Sequence, residues 1–497
     1  MSPWIFADLY RPQYPPTPDV LQSALAWSFF KPAPTEKPRG YIYSRQAASQ
    51  PKRVQIVSTR PDLANNASWI SALRGQRLFY DGGPRESEVA HAAADSLIGV
   101  EPLKGTGLTA APLGPSAALL QDPSGAMGVA NPPNFAALIN QLFLLGSMSS
   151  RQPERPTKLA SEIWFDAITK IATGGTLLRA VDAALYQAAI KSNISVDSLV
   201  DWPPRQVVPN KQSIPASPPA WWTADDFDSA ETPFGWFADS WRKLCSDEWI
   251  LALPPRRWTD WASCLIRQAL AFCFLWEVHF FTVLARYVVM EQPESTGSAA
   301  ARMRSPPMGL IPWATAGSVT SLDIKPRMRD LLRMGHACRA AFWNWQEATA
   351  APKDKSLEGM LKHARKRASK ALRKELVAAL DGSAKAGGLS NLRETVEYSL
   401  LCRRDTGRSA DFYGFTRTVS RRFTHVAPSP EWIVVISSVA APGPNIGCRL
   451  ADVLMSLQRL GLQPRIDTLV QELERAGLCA SAPDGDEGIL VSPAFGG

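Results

Sequence analysis

The sequence predicts a mainly α-helical, multidomain protein, and three observations lead to this fold class. Apolar residues recur at spacings of three and four through most segments that are poor in proline, as they do on one face of an α-helix. Runs that resemble β-strands are short and lie mostly near the N-terminus. The 497 residues also exceed what one hydrophobic core ordinarily holds, so about three or more domains are expected.

Changes in composition divide the chain into six segments. In chain order, these are a mixed α/β N-terminal domain (1–125), a small helical bundle (130–200), a proline-rich linker (201–235), a central tryptophan-rich helical domain (236–350), a basic helical and aromatic segment (351–426) and a C-terminal module (427–497). The third segment is read as a linker because proline at its density blocks helices and central strands alike.

The first two segments carry short local signals. Residues 54–58 and 77–80 are predicted to be strands, and residues 86–98 a helix. Asn134 is a predicted N-cap for the apolar helix that follows it, and Gly146 is predicted to lie just beyond the end of that helix. The bundle therefore consists of short helices separated by glycine.

The longest apolar stretch is predicted to be one helix that runs from about Thr259 to Val289. It contains Glu277 and Arg286, and charges at such positions are costly in a bilayer, so we expect a core helix and no membrane partner. A buried carboxylate has a shifted pKa and can serve as an acid or base, which makes Glu277 a candidate catalytic residue. The alternative is a structural ion pair with Arg267 or Arg286, or a structural hydrogen bond.

Standard catalytic and cofactor motifs are missing from the sequence. Its seven cysteines are widely spaced without a CxxC pair, which argues against a disulfide framework and a zinc site and is typical of the cytoplasm. No P-loop, HExxH or GxSxG pattern occurs. We therefore expect no cofactor and no metal, and we favour a non-catalytic protein over an enzyme.

Positive charge is concentrated in one part of the chain. Residues 353–425 hold 17 lysines and arginines against 8 acidic residues, whereas the whole chain has a net charge of only +8. Such a local excess is typical of a surface that binds a polyanion. The alternatives are a solvated helix face or a docking surface for an acidic protein.

The basic segment contains the candidate nucleic-acid-binding residues. A single amphipathic helix is predicted over residues 353–380, and further arginines follow it among Phe412, Tyr413, Phe415 and Phe423. Arginine and lysine would hold phosphates, and the aromatic rings would stack on unpaired bases. The candidate contacts are Lys362, Arg365, Lys366, Arg367, Lys370, Arg373, Lys374, Arg403, Arg404, Arg417, Arg421 and Arg422.

The C-terminal module resembles the winged-helix superfamily over about 65 residues. A helix is predicted at 449–460 and another after Pro464, where Ile466 belongs to the inner face. The phrase LVQELERAGL and the polar turn after it are similar to the third helix and wing of that family, with 478–480 and 489–491 as the wing strands. The resemblance implies a fold that binds DNA or docks a protein. Protein docking is favoured because the third helix is nearly neutral and the turn is acidic.

The sequence therefore predicts a cytoplasmic, non-catalytic subunit that binds nucleic acid, with DNA as the favoured ligand, and that meets other protein subunits through its C-terminal module. In its general shape it resembles accessory subunits of bacterial phage-defence or DNA-processing complexes. Two alternatives stay open: an enzyme with an active site near Glu277, and a scaffold with a basic docking surface.

Overall fold

The structure is a computed structural model, and 64% of its described residues are helical while 4% form strands. The described residues are 3–12, 18–29, 31–32, 67–77, 85–97, 99, 110–120, 134–187, 194–195, 214–224, 227–313, 323–384, 386–403, 411–419, 423–479 and 489–494. The predicted mainly α fold class is thus confirmed. The strand predicted at 54–58 and residues 78–80 of the one predicted at 77–80 lie outside the described residues, while Arg77 lies in a turn.

Eighteen α-helices make up most of the described chain. They are α1 (Pro18–Trp27), α2 (Ala67–Gly75), α3 (Glu86–Ser96), α4 (Pro115–Leu119), α5 (Phe135–Ser147), α6 (Ala160–Gly174), α7 (Thr176–Leu185), α8 (Pro233–Leu244), α9 (Asp247–Ala252), α10 (Pro255–Val289), α11 (Thr296–Arg304), α12 (Ile324–Glu347), α13 (Leu357–Arg367), α14 (Lys370–Leu380), α15 (Leu389–Leu400), α16 (Pro430–Ala440), α17 (Leu450–Arg459) and α18 (Ile466–Arg475).

The described strands form three small antiparallel pairs. They are β1 (Lys31–Pro32) with β2 (Ile194–Ser195), β3 (Thr416–Val419) with β4 (Phe423–Val426), and β5 (Cys448–Arg449) with β6 (Leu490–Val491).

Helix α10 is the centre of the fold. It begins at Pro255, about one turn before the predicted start, because proline at a first helical position fits the helical backbone and needs no hydrogen-bond partner there. Helices α1, α8 and α11 to α15 all pack against it. It is the only described helix that is long and apolar enough to cross a membrane, and 94% of its apolar window is buried by the rest of the chain. Its hydrophobicity is therefore explained by its place in the core.

Most of the buried apolar residues that the structure describes belong to one continuous cluster, which runs from Ile5 to Val491. The described part of the predicted linker belongs to this cluster. Trp221 and Trp222 are buried there, and their indole groups donate hydrogen bonds to the backbone oxygens of Ile5 (2.9 Å) and Leu145 (2.8 Å). This part of the segment is packed against the core and does not act as an exposed connection. The predicted domain limits stay a prediction.

The first helix of the predicted bundle begins as expected and ends differently. The Asn134 side chain accepts a hydrogen bond from the backbone N–H of Ala137 and caps α5. The prediction for Gly146 is wrong, since this residue lies inside the helix. A Cβ atom at position 146 would lie 1.9 Å from the backbone oxygen of Phe234 on α8. Glycine is therefore present because two backbones approach closely, and it does not end the helix.

The C-terminal module has its own strand pairing. Strand β6 pairs with β5, which precedes α17, with Cys448 opposite Val491 and Arg449 opposite Leu490. Beyond this pair, the backbone N–H of Ser492 donates to the oxygen of Leu478. The element order is helix, strand, helix, helix, strand. The strand predicted at 478–480 is wrong for its described residues, since Leu478 and Cys479 lie in no strand and β6 pairs with β5 instead. The predicted wing turn lies outside the described residues.

Candidate nucleic-acid interface

Two short helices, rather than the predicted single one, carry the basic residues. Helix α13 ends at Arg367, and α14 begins at Lys370. Ser369 separates them, because its side chain accepts a hydrogen bond from the N–H of Leu372 and its backbone is extended, as at an N-cap. Ser356 caps α13 in the same way. The prediction of one continuous helix over 353–380 is therefore wrong.

Each basic helix is attached to the core by an apolar side. The buried residues are Leu357, Met360, Leu361 and Ala364 on α13, and Leu372, Leu376 and Ala379 on α14. Helix α13 packs on α10 and α11, and α14 packs on α10 and α12. The remaining sides face solvent, so the basic residues there have fixed positions on a rigid support.

Two of the candidate arginines stabilise the end of α10. Arg365 donates to the backbone oxygens of Tyr287 (2.5 Å) and Glu291 (3.3 Å). Arg373 donates to the oxygen of Val288, and also to that of Arg365 at 2.7 Å. Carbonyl groups in the last turn of a helix have no partner within the helix, and cations are favourable there. These two arginines therefore have an intramolecular role.

The other candidate cations on these helices are exposed. They are Lys362, Lys366, Arg367, Lys370 and Lys374. Lys362 forms an ion pair with Glu358 (3.3 Å) but stays 61% exposed, so this pair is weak. The last four lie around the junction of α13 and α14, next to the N-terminus of α14 with its partial positive charge. We call these five residues the basic surface.

Of the candidate arginines after α15, the two that the structure describes, Arg403 and Arg417, are not exposed. Arg403 is 6% exposed and lies 3.6 Å from the carboxylate of Asp411, which also binds Arg267 at 2.8 Å. Burial lowers the pKa of Arg403 to about 10. Arg417 is half-buried on β3, opposite His425. Arg404, Arg421 and Arg422 lie outside the described residues.

The aromatic residues near these arginines are mostly used in packing. Tyr413 and Phe415 are buried, and Phe415 lies 4.7 Å from the ring of Trp432. Phe423 is half-buried, and Phe412 is exposed to 36%. The interleaving of arginine and aromatic residues in the sequence does not produce an exposed stacking surface from Tyr413 and Phe415.

Half-buried aromatic residues that the sequence did not indicate lie beside α13. Trp4 packs against Trp345 with ring centroids 5.5 Å apart and against His363 with centroids 5.3 Å apart. Trp4 is 359 positions before His363 along the chain, so no local pattern links them. The sequence is rich in tryptophan, but its pattern does not show which tryptophans are half-buried, as Trp4 and Trp345 are, and which are buried.

The candidate catalytic carboxylate is fully enclosed. Glu277 has a side-chain exposure of 0% and pairs with Arg11 (2.5 Å) and Arg339 (3.3 Å). The predicted partners Arg267 and Arg286 are wrong, since Arg267 binds Asp411. Burial raises the pKa of Glu277 above its ordinary value, although Arg11 and Arg339 oppose this shift. The arrangement is that of a structural ion cluster.

The described residues include one surface pocket of about 800 Å³, which lies between α10, α11 and α12. Its lining includes His279, Arg302, Met308, Leu331 and Met334, and Glu277 is not among the residues that line it. The described part of the chain also shows no group of three or more side chains that could hold a metal ion. Neither finding supports an active site at Glu277.

The C-terminal module exposes apolar side chains. Ile446, Met455, Ile466 and Leu490 are each more than half exposed. The placement of Ile466 on the inner face of its helix was wrong, since this side chain is 60% exposed while Leu469 and Leu473 are buried. These four side chains are candidates for contacts with another protein.

Comparison of the chain with protein-family models finds no match, and comparison with curated proteins finds none either.

Proposed function

We propose that this protein is a non-catalytic DNA-binding subunit of a larger bacterial complex in the cytoplasm, of the kind that acts in phage defence. The basic surface carries the proposal. Five exposed cations lie on two helices, and buried leucines and the arginine contacts at the end of α10 hold these helices rigidly. A group of exposed cations on folded helices favours binding of phosphates, because the backbone that carries the cations needs no further ordering on binding.

Salt dependence tests this proposal directly. Labelled duplex and single-stranded DNA and RNA would be titrated with the protein at several salt concentrations. Binding to a polyanion must weaken steeply as salt rises, since released counterions carry the affinity. If the protein binds none of these ligands at low salt, the proposal is contradicted. The alternative of a scaffold whose basic surface docks an acidic protein is then favoured.

A charge-reversal variant tests the position of the surface. The variant replaces four of its residues with glutamate: Lys366→Glu, Arg367→Glu, Lys370→Glu and Lys374→Glu. The matched control changes the net charge equally at exposed positions elsewhere: Arg151→Glu, Lys158→Glu, Lys170→Glu and Arg179→Glu. We expect the first variant to lose binding and the control to lose much less. Equal losses would show that only the overall charge matters.

We further infer that the C-terminal module is a winged helix that docks another protein subunit. Its order of helices and the pairing of β5 with β6 support this fold. The exposed apolar residues support docking, because a DNA-reading face would be polar and basic. The acidic turn predicted at 484–487 is also unfavourable next to phosphates.

Substitutions on this module separate docking from DNA binding. The double variant Ile466→Asp and Leu490→Asp should lose the proteins that co-purify with the wild type from the native host. A control with the same charge change at exposed polar positions, Gln463→Asp and Gln471→Asp, should retain them. DNA affinity should change little in both. Loss of DNA binding in the apolar variant alone would identify the module as the DNA contact.

A further inference from the structure

The tryptophans of the described chain are unevenly exposed. Fifteen of the 17 tryptophans have a described burial, and eleven of these are buried. The four half-buried ones are Trp4, Trp27, Trp343 and Trp345. Trp343 and Trp345 lie in the last two turns of α12, and Trp4 packs on Trp345. Three of the four are thus gathered at one end of α12.

Hydrogen bonds fix the rings at this position. The indole N–H of Trp4 donates to the oxygen of Thr349 at 3.2 Å, and a ring nitrogen of His363 lies 2.9 Å from the oxygen of Ala350. The ring planes of Trp4 and Trp345 are inclined by 65°, and those of Trp4 and His363 by 88°. None of these three rings therefore lies flat on another within these pairs. We call Trp4, Trp345 and His363 the aromatic cluster.

The aromatic cluster borders the basic surface. His363 lies on α13, and Lys366 and Arg367 follow it by three and four residues. Residues at these separations are neighbours on a helix surface, about 5–6 Å apart. Aromatic rings and exposed cations therefore meet along one side of α13, where His363 of the aromatic cluster neighbours Lys366 and Arg367 of the basic surface.

We propose that this junction binds single-stranded nucleic acid, with Trp4 and Trp345 as a platform on which unpaired bases stack while the lysines and arginine hold the phosphates. The inference rests on the proposed function and names its ligand class more closely. Bases in a duplex are stacked on one another and cannot stack on a protein aromatic ring, whereas bases in a single strand can. Because the platform is already fixed, stacking requires little further ordering of the protein.

Ligands of equal charge test this inference without any change to the protein. A thymidine oligonucleotide of about fifteen nucleotides and an abasic strand of the same length would be titrated at one salt concentration. We expect the thymidine strand to bind more tightly than the abasic strand, by about 5- to 150-fold for each stacked base. Equal affinity for the thymidine and abasic strands would overturn the platform while leaving the DNA-binding proposal intact.

Tryptophan variants then test whether the preference for a strand with bases arises at the aromatic cluster. Trp4→Leu and Trp345→Leu should each bring the affinity for the thymidine strand towards that for the abasic strand. Trp27→Leu is the matched control, because Trp27 is also half-buried but lies on α1, which packs against α4, α5, α6 and α10. A preference for bases that survives in both platform variants would overturn the assignment. If no strand binds the wild type at low salt, this inference and the proposed function both fall.

Discussion

The guanidinium group of Arg11 lies 2.5 Å from the carboxylate of Glu277, although 266 residues separate them. Glu277 is completely buried at the middle of α10, and Arg11 also lies over the ring of Phe274 at 4.7 Å. Burial lowers the pKa of Arg11 to about 10, against the opposing effect of Glu277. The N-terminal segment is therefore attached to the centre of the protein by a buried ion pair.

Replacing Arg11 should lower the free energy of unfolding. Arg11→Met leaves the buried carboxylate of Glu277 with only Arg339 nearby, and loss of one partner of a buried pair costs about 3–5 kcal/mol. Urea unfolding followed by tryptophan fluorescence would measure the change, with the exposed Arg327→Met as a control close to zero. The same experiment on Glu277→Gln should also show destabilisation. A Glu277→Gln protein of unchanged stability that loses its biological function would instead support a catalytic carboxylate.

Two adjacent residues on α14 should differ in role: replacing Arg373 should mainly lower stability, whereas replacing Lys374 should mainly weaken DNA binding. Arg373 bonds to the last carbonyl groups of α10, so Arg373→Met should lower the free energy of unfolding by about 1–3 kcal/mol. Lys374 is exposed, so Lys374→Met should change stability by less than about 0.5 kcal/mol. DNA binding should respond in the reverse order, with the larger loss of affinity and of salt dependence in Lys374→Met. Equal losses of affinity without a difference in stability would contradict the division between structural and binding cations.

The stability of the protein should depend on pH through Asp260. Burial raises the pKa of this carboxyl from 3.8 to about 7, and nearby Asp19 adds to the shift while Arg256, at 2.9 Å, opposes it. The folded state therefore holds the proton more tightly than the unfolded state. This contribution to stability is complete below about pH 4 and is lost as pH rises towards about 7.

Replacing the carboxyl with an amide removes this titration. The free energy of unfolding of Asp260→Asn should lack the decline that Asp260 contributes between about pH 4 and pH 7, with each unit of pKa difference worth about 1.4 kcal/mol. Urea unfolding at several pH values would measure both proteins. Parallel pH profiles for the wild type and the variant would show that Asp260 keeps an ordinary pKa in the folded protein.

A pair of glycine substitutions tests the contact between α5 and α8. Gly146→Ala places a methyl group 1.9 Å from the backbone oxygen of Phe234, so the helices must separate, and we expect a loss of about 2–4 kcal/mol. Gly174→Ala lies at the end of α6 with no atom within 4 Å of its new Cβ, and should be neutral or stabilising by up to about 1 kcal/mol. Thermal unfolding of both would show whether position 146 is a packing glycine. Similar Tm values for the two variants would contradict a close approach of the α5 and α8 backbones at position 146.

Local pattern was sufficient for the elements whose cause is local. The Asn134 cap and the apolar course of α10 follow from a side chain and its nearest neighbours along the helix. The helix break at Ser369 also has a local signal, since serine is a good N-cap. The leucine and alanine periodicity continues across this residue, however, and so it predicted one helix. The concentration of basic charge in residues 353–425 needed only a count.

By itself, then, the sequence determined that the chain is mainly helical, that its longest apolar helix belongs to a core, and that its excess positive charge lies in one segment. Only the tertiary structure decided which cations are exposed. Arg365 and Arg373 donate hydrogen bonds to carbonyl groups of α10, whereas the side chains of Lys366 and Lys370 are exposed. It also brought Trp4 to His363 and Arg11 to Glu277. Periodicity reports which face of a helix is buried, but the partners of a side chain depend on contacts between residues that are far apart in the chain, and these leave no local signal.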